Sequence, residues 1–507
     1  MTASIKQRRR MRRWMRVRSH GMSFLLGLSM SVALTFCDGG GDGGGAGAQE
    51  ASTVEQRLAA LESLLEHVSL NADGDLVISG INVFIQSGSG ATDGAVNGKG
   101  NLIIGYNADV SFDGAESRPG SHNLVVGDEH SYTSFGGLVA GWNNLVSGQW
   151  ASVTGGNANV ASGQFSTVSG GGDNQASGEA AAVLGGDSNQ ASAYGATVSG
   201  GVSNTATGDY ASVSGGSGNY AYGSGSAVAG GADNEAGGNF AAILGGQNNL
   251  AGSPTVPAIG EYAVVGGGRY NRSDGPWSTV SGGGGPNSIA GNWASAFYST
   301  VSGGSENVAS GAFSAVSGGG NNTASGEYAS ASGGANGVAG GLAAAMHGGY
   351  ENAAFSNFSS ILGGGSNRTG DGITATVGQY ATVSAGRNNV ASGAYSTVSG
   401  GGDADPALGN TASGDYSAVS GGADNTASNS GGSISGGAGN AASGINSSVS
   451  GGGSNTASGS GAAVSGGFQN TASGLAGTVG GGQNCSAASG YQWSYGDRGG
   501  SGSCTGN

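Results

Sequence analysis

Charge, histidine, cysteine and proline are all scarce in this chain. Charged residues fill 9% of its 507 positions, against about 25% in typical soluble domains. Five His and three Cys leave little from which to build an acid–base, nucleophilic or metal centre. Composition therefore argues against an enzyme and implies no cofactor. Six Pro, with no Gly at every third position, exclude a collagen-like triple helix. Basic residues are rare outside the N-terminus: eight of the 16 Lys and Arg lie within residues 1–37, and the other eight face all 31 acids, a formal −23. A chain that acidic repels phosphates, so nucleic acid is not an expected partner. What is abundant is Gly, with 112 residues, about three times its usual share. Gly and Ser at this level also suit a disordered linker, but a strict long-period repeat is no property of disorder.

Residues 1–37 read as an export segment. Lys6, Arg8, Arg9, Arg10, Arg12, Arg13, Arg16 and Arg18 come with no acidic residue and lead into apolar residues 23–36. That is the pattern of a secretory signal, and it is shorter than the roughly 20 residues a transmembrane helix needs. Leu34-Thr35-Phe36-Cys37 and the Gly-rich stretch after it resemble a bacterial lipoprotein signal. The resemblance implies a lipid on Cys37, hence a membrane anchor and an outer-membrane or cell-surface location. Phe36 departs from the small residue expected before that Cys. Residues 38–50 then serve as a flexible tether. In an exported chain, Cys485 and Cys504, 19 apart, are expected as a structural disulfide, making residues 485–507 a closed C-terminal cap.

Residues 51–70 form the clearest helical stretch. Val54, Leu58, Leu61, Leu65 and Val68 alternate in spacing of four and three, as along a heptad seam. Arg57-Leu58-Ala59-Ala60-Leu61-Glu62 resembles the trimerisation signature of short coiled coils. In that motif the Arg reaches the Glu of a neighbouring helix while its methylenes cover the core Leu. The expectation is a parallel homotrimer held by Arg57, Leu58, Leu61, Glu62 and Leu65. Fewer than three heptads are marginal alone, so an adjacent element must share the work.

After a connector at 71–101, the chain repeats from Leu102 to residue 484. An apolar residue, one small residue and usually Gly-Gly recur at Val153, Val168, Val183, Val198, Val213, Val228 and Ile243, always 15 apart. Counting Leu102, Leu124, Leu138, Val264 and the later members to Val479, there are 24 positions, and 16 of the 23 intervals are 15. The longer intervals contain inserts at residues 253–261, 284–294, 371–377 and 403–408. Alternating Val, Ser, Thr and aromatic residues before Gly-Gly suit a short strand, and Gly-Gly and Ser-Gly break the chain twice per unit. The expected fold is all-β: a parallel β-solenoid, or β-roll, of about 24 coils with a 15-residue period, each coil burying its apolar side against its neighbours. Asn144, Asn159, Asn174, Asn189 and Asn204 lie six residues after the apolar position and predict a structural amide ladder. Trp150, Phe165, Tyr210, Phe240, Trp277 and Tyr298 lie three before it. Strand alternation puts them on the opposite face, either packed between chains or exposed as a stripe able to stack on sugars.

Units such as Gly414-Asp415-Tyr416-Ser417-Ala418-Val419-Ser420-Gly421-Gly422 resemble the head repeats of trimeric autotransporter adhesins, the YadA-like heads. The resemblance implies left-handed β-rolls, three chains side by side, that bind host matrix or other surfaces. It covers roughly residues 100–484. The period of 15 instead of near 14, Ser in place of a branched residue, and a C-terminus without membrane β-strands depart from that family.

Other chemistry finds little support. His122 and His130 flank Asp128-Glu129, but a solvated turn explains one such cluster better than a metal site. Gly-Gly-x-x-Asn resembles calcium-binding nonapeptide repeats, yet the period differs and Asp is sporadic. No clustered carboxylates mark a catalytic groove. The expectation is a trimeric, lipid-anchored adhesin-like rod that attaches multivalently to a surface or matrix macromolecule or a glycan, with the inserts supplying specificity. A secreted carbohydrate-binding solenoid and a purely architectural surface protein are the alternatives.

Overall fold

The computed structural model describes residues 46–108, 117–496 and 504–506; the export segment and Cys37 lie outside them. The chain forms two compact units, one ending at Val83 and the other beginning at Phe84.

The first unit holds helix α1 (Ala46–Leu65) and a hairpin of β1 (Val68–Leu70) and β2 (Leu76–Ile78). The helix starts inside the stretch expected to be tether and stops short of residue 70. Val68, expected to close the heptad seam, instead pairs with Ile78 across the hairpin. Turn chemistry decides this: the Asn71 side-chain oxygen accepts from the Asp73 and Asp75 amides, and Gly74 takes φ +87°, a left-handed conformation that favours Gly.

The second unit is a parallel β-solenoid built on two ladders. One runs through 25 parallel strands, from β3 (Leu102–Ile104) to Trp493–Gly496, and the other through 23, from Ser131–Tyr132 to Ser486–Ala487. At about 4.8 Å per coil the stack is on the order of 120 Å long. The extra coil comes from the segment expected to be cap: Trp493 and Ser494 pair in register with Thr478 and Val479. Only then does the chain turn back, with Cys504–Gly506 antiparallel to this last strand.

One coil shows why 15 residues suffice. Ser152 and Val153 form the first strand, in register with Thr167 and Val168 of the next coil. Val153 points inward and is fully buried, while Ser152 and Thr154 point outward. Gly155 and Gly156 turn the chain, and Asn157 makes an isolated bridge to Gly172. Ala158, at φ +55°, turns it again. Val160 and Ala161 form the second strand with Ala161 buried, and Ser162-Gly163 leads back. The interior of a coil is thus one Val, small Ala or Ser residues and an Asn. It is narrow enough to close within a single chain.

Gly is required at specific corners. Gly156 has φ +84°, and a Cβ there would collide with the Gly171 carbonyl of the next coil and lie 2.7 Å from the Asn159 amide nitrogen.

The ladders also correct the sequence register in four coils. Leu102 pairs with Leu124, and Leu124 with Leu138, which in turn pairs with outward-facing Ser152. The positions equivalent to Val153 are therefore Val125 and Val139, both fully buried, and, one coil earlier, Ile103. Val265, not Val264, pairs with Val280. In each of these coils two apolar residues are adjacent, so spacing alone does not choose between them.

Candidate functional site

The amide column is the best-defined polar feature. Asn159 donates its backbone N–H to the Asn144 Oδ1 at 2.8 Å, and its Nδ2 donates to the carbonyls of Gly155 (3.2 Å) and Gly171 (3.0 Å). Asn174, Asn189 and Asn204 repeat the pattern, and all are buried. Each amide thus ties three coils together and satisfies turn carbonyls that would otherwise be buried unpaired. Asn271, Asn292 and Asn410 continue the column. Sequence spacing missed them, because the one-residue slip at Val264 hides Asn271 and inserts separate the other two from their apolar residue. The column starts with Asn107 and His130 and ends at Cys485, whose amide donates to the Asn470 Oδ1 at 2.8 Å. With every amide spent internally, none is presented to a ligand.

The aromatic residues leave the strand altogether. Trp150, Phe165, Tyr210, Phe240, Trp277 and Tyr298 all sit at left-handed corners, with φ between 54° and 58°, one residue before the buried small residue. The outward direction expected from strand alternation is right, but its cause is the corner. Such backbone costs a non-Gly residue roughly 1–2 kcal/mol, and ring stacking at about 0.5–1.5 kcal/mol per pair offsets it. Neighbouring rings stand about one coil apart: Phe240–Tyr262 at 5.0 Å, Tyr262–Trp277 at 5.4 Å, Trp277–Tyr298 at 5.6 Å and Tyr298–Phe313 at 5.3 Å, all near parallel. Inside such a run both faces of a ring are covered by its neighbours, leaving edges to solvent. The stripe is exposed in the single chain, but inside these runs the sugar-stacking faces are already used.

A different aromatic, absent from the sequence reading, sits on the second ladder. Trp293 occupies the outward position between Arg272 and Val308. Its Nε1 donates to the Asp274 Oδ2 at 2.9 Å, and the Arg272 guanidinium lies 5.2 Å from the ring centroid. Arg272 also forms an ion pair with Asp274, whose side chain is only 12% exposed. Burial pushes the Asp274 carboxyl above the usual carboxylate range, against the opposing effects of Arg272 and the indole N–H. The insert at 284–294, expected as a specificity loop, borders this cluster. Asn287 braces it by accepting from the Ile289 and Ala290 amides, and a groove of about 330 Å³ lies between insert and ladder. Two signals pointed here: a Trp at an outward position more often held by Thr, Val or Gln, and an Arg in a repeat region with few bases.

The residues expected to trimerise lie together on α1. Val54, Leu58, Leu61 and Leu65 are half or more exposed, and Val54, Leu58 and Leu61 line a shallow, largely apolar groove with Arg57, Ala60 and Leu64. Arg57 and Glu62 are exposed.

No protein-family profile matches the chain, and no curated protein matches it.

The remaining expected sites are structural. Cys485 and Cys504 are bonded across a Cα separation of 5.2 Å. The two histidines flanking Asp128-Glu129 use both ring nitrogens locally. His122 Nε2 accepts from the Ser87 amide and its Nδ1 contacts the Thr92 carbonyl. His130 Nδ1 accepts from the Asn144 amide and its Nε2 donates to the Val126 carbonyl. Among the described residues no group of three or more His, Cys, Asp or Glu could hold a metal ion.

Proposed function

We propose that the chain is an exported, lipid-anchored rod that trimerises at its N-terminal end and presents the solenoid for multivalent attachment at the cell surface. The observation that carries this reading is where large apolar side chains meet solvent. On α1 they are Val54, Leu58, Leu61, Leu64 and Leu65; on the hairpin Leu70, Leu76, Val77 and Ile78; and at the start of the solenoid Leu102, Ile103, Ile104 and Tyr106. A hairpin of two strands is at best marginal by itself, and an open apolar edge strand such as β3 invites covering. Patches of this kind mark interaction surfaces. Beyond the first coils the outward strand positions are mostly Ser, Thr and Ala, which suits a solvated shaft.

A second copy of the same segment suits each of these apolar surfaces, and the Arg57-to-Glu62 motif selects three chains. The basic and apolar residues before Cys37, and the Gly-rich stretch after it, support export and anchoring. Many weak contacts along a long repetitive shaft would then sum to avidity without any deep pocket.

The test is the solution mass of the mature chain by light scattering. Three chain masses are expected, falling to one when Leu58→Asp and Leu61→Asp are combined. A single chain mass for the unmodified protein would overturn trimerisation.

A further inference from the structure

We infer that the groove beside Trp293 binds a neutral pyranose chain. This goes beyond attachment in general, and it does not depend on how many chains assemble, because every residue involved belongs to four successive coils of one solenoid.

The platform is fixed before any ligand arrives. The indole N–H is held by the Asp274 carboxylate, and Arg272, itself paired with Asp274, covers one ring face. Support of this kind is what a precise binding surface requires. Arg272 belongs to the coil before Trp293 and Val308 to the coil after it, and both line the groove together with the ring, which is 39% exposed. Trp293 thus differs from the aromatics inside the stacked runs, such as Trp277, whose two faces are taken by neighbouring rings. A flat apolar face set among hydrogen-bonding groups is what the C–H face and hydroxyl rim of a pyranose need.

The walls supply those groups. Ser288 and Asn321 provide neutral donors and acceptors, Glu306 provides acceptors, and Ile289, 82% exposed at the tip of the insert, offers an apolar edge. The volume of about 330 Å³ falls at the small end of ligand pockets, roughly 300–1,000 Å³. Arg272 is neutralised by Asp274, which leaves Glu306 as the net charge and disfavours an anionic sugar. The solenoid contains its own control. Across the similar insert at residues 403–408, Val390 and Thr411 hold the positions of Arg272 and Trp293, so that loop has no platform.

The test is calorimetric titration of the full mature protein with β-1,4-linked tetramers of glucose, of N-acetylglucosamine and of a uronic acid. A neutral tetramer is expected to bind, with the uronate weakest. Trp293→Ala should weaken binding by about tenfold or more, the size of effect a central aromatic anchor has. Trp277→Ala, which removes a ring stacked on both faces, should leave it unchanged. Should Trp293→Ala lose its sheet signal in circular dichroism, Trp293→Tyr and Trp293→Leu replace it: the ring should retain binding and the aliphatic side chain should not. Failure of both neutral tetramers to bind at millimolar concentration, binding that survives loss of the Trp293 ring, or binding that depends on Trp277 would each overturn the assignment. None of these outcomes bears on the chain mass, so trimerisation stands or falls separately.

Discussion

In the buried amide column one position near the start is filled by His130 instead of Asn. Its Nδ1 must stay unprotonated to accept the Asn144 N–H at 3.2 Å, and its Nε2 proton goes to the Val126 carbonyl at 3.0 Å. Burial pushes the imidazole below its ordinary value, opposed by backbone hydrogen bonds and by the nearby Asp128 charge. Between that depressed value and the unfolded value of about 6.5, the unfolded chain binds more protons than the native one. Stability therefore falls as pH drops through this window and is level above it. Denaturation midpoints measured between about pH 5 and pH 8 should show the decline in the unmodified chain and lose it in His130→Asn, which restores the usual residue of the column. A level profile in the unmodified chain would show that the imidazole does not carry it. Five other buried polar groups are less well served. The hydroxyls of Ser166, Ser226, Ser314, Ser396 and Ser417 find no hydrogen-bond partner among the described residues, in a slot that Ala151 and Ala181 fill in other coils.

At the scale of the coil, the repeat tolerates an exception only when neighbours compensate. The column is interrupted at Gly337, whose amide still donates to the Asn322 Oδ1 at 2.9 Å but which has no side chain to pass on. Its place is taken by the Met346 side chain, which a Cβ on Gly337 would strike. Met346 stacks on Ala331, the small residue at the Val position of the coil before. Met346→Val should leave a cavity costing roughly 1–2 kcal/mol, and Gly337→Asn alone should overpack by about 1–3 kcal/mol. Together they restore Asn and Val to their usual places, so the double variant should be more stable than the sum of the two, with a coupling of about 1–3 kcal/mol in chemical denaturation. Strict additivity would mean that the two sites do not share this space.

Much of this element was legible in the sequence, because period 15, Gly-Gly and the Asn spacing all report backbone constraints that stacking imposes on every coil. The aromatic corner was not legible. An alternating Tyr-Ser-x-Val string reads as strand, and only the coil geometry places its first residue at positive φ. Nor was the Trp293 groove, because it depends on residues from separate coils that an insert keeps apart in sequence. The end of α1 was misplaced for a related reason: Val68 satisfies the heptad spacing, but the turn after it recruits Val68 into a strand.

At the scale of the whole solenoid, the two ends differ. The first strand, β3, exposes its side chains, whereas the last coil is sealed by the antiparallel Cys504–Gly506 strand and the Cys485–Cys504 bond. A loop of that length is worth about 3 kcal/mol, but in a stack whose coils contact only their neighbours the effect should stay local. Replacing both cysteines by Ser should lower hydrogen-exchange protection in the coils around Thr471–Ala472 and Thr478–Val479 and leave the coil of Val153 unchanged. Loss spread evenly along the rod would instead mean that the solenoid melts as one cooperative block.

The register itself carries a consequence for how such a chain changes over generations. Between Gly155 and Gly245 each coil is joined to the next by the same pairs at a constant offset of 15. Recombination between two of these units removes or adds a whole coil, and the strands on either side of the junction meet already aligned. Rod length is therefore free to drift in steps of about 4.8 Å, while the Gly337–Met346 pair and the coils around Trp293 must be inherited as intact blocks.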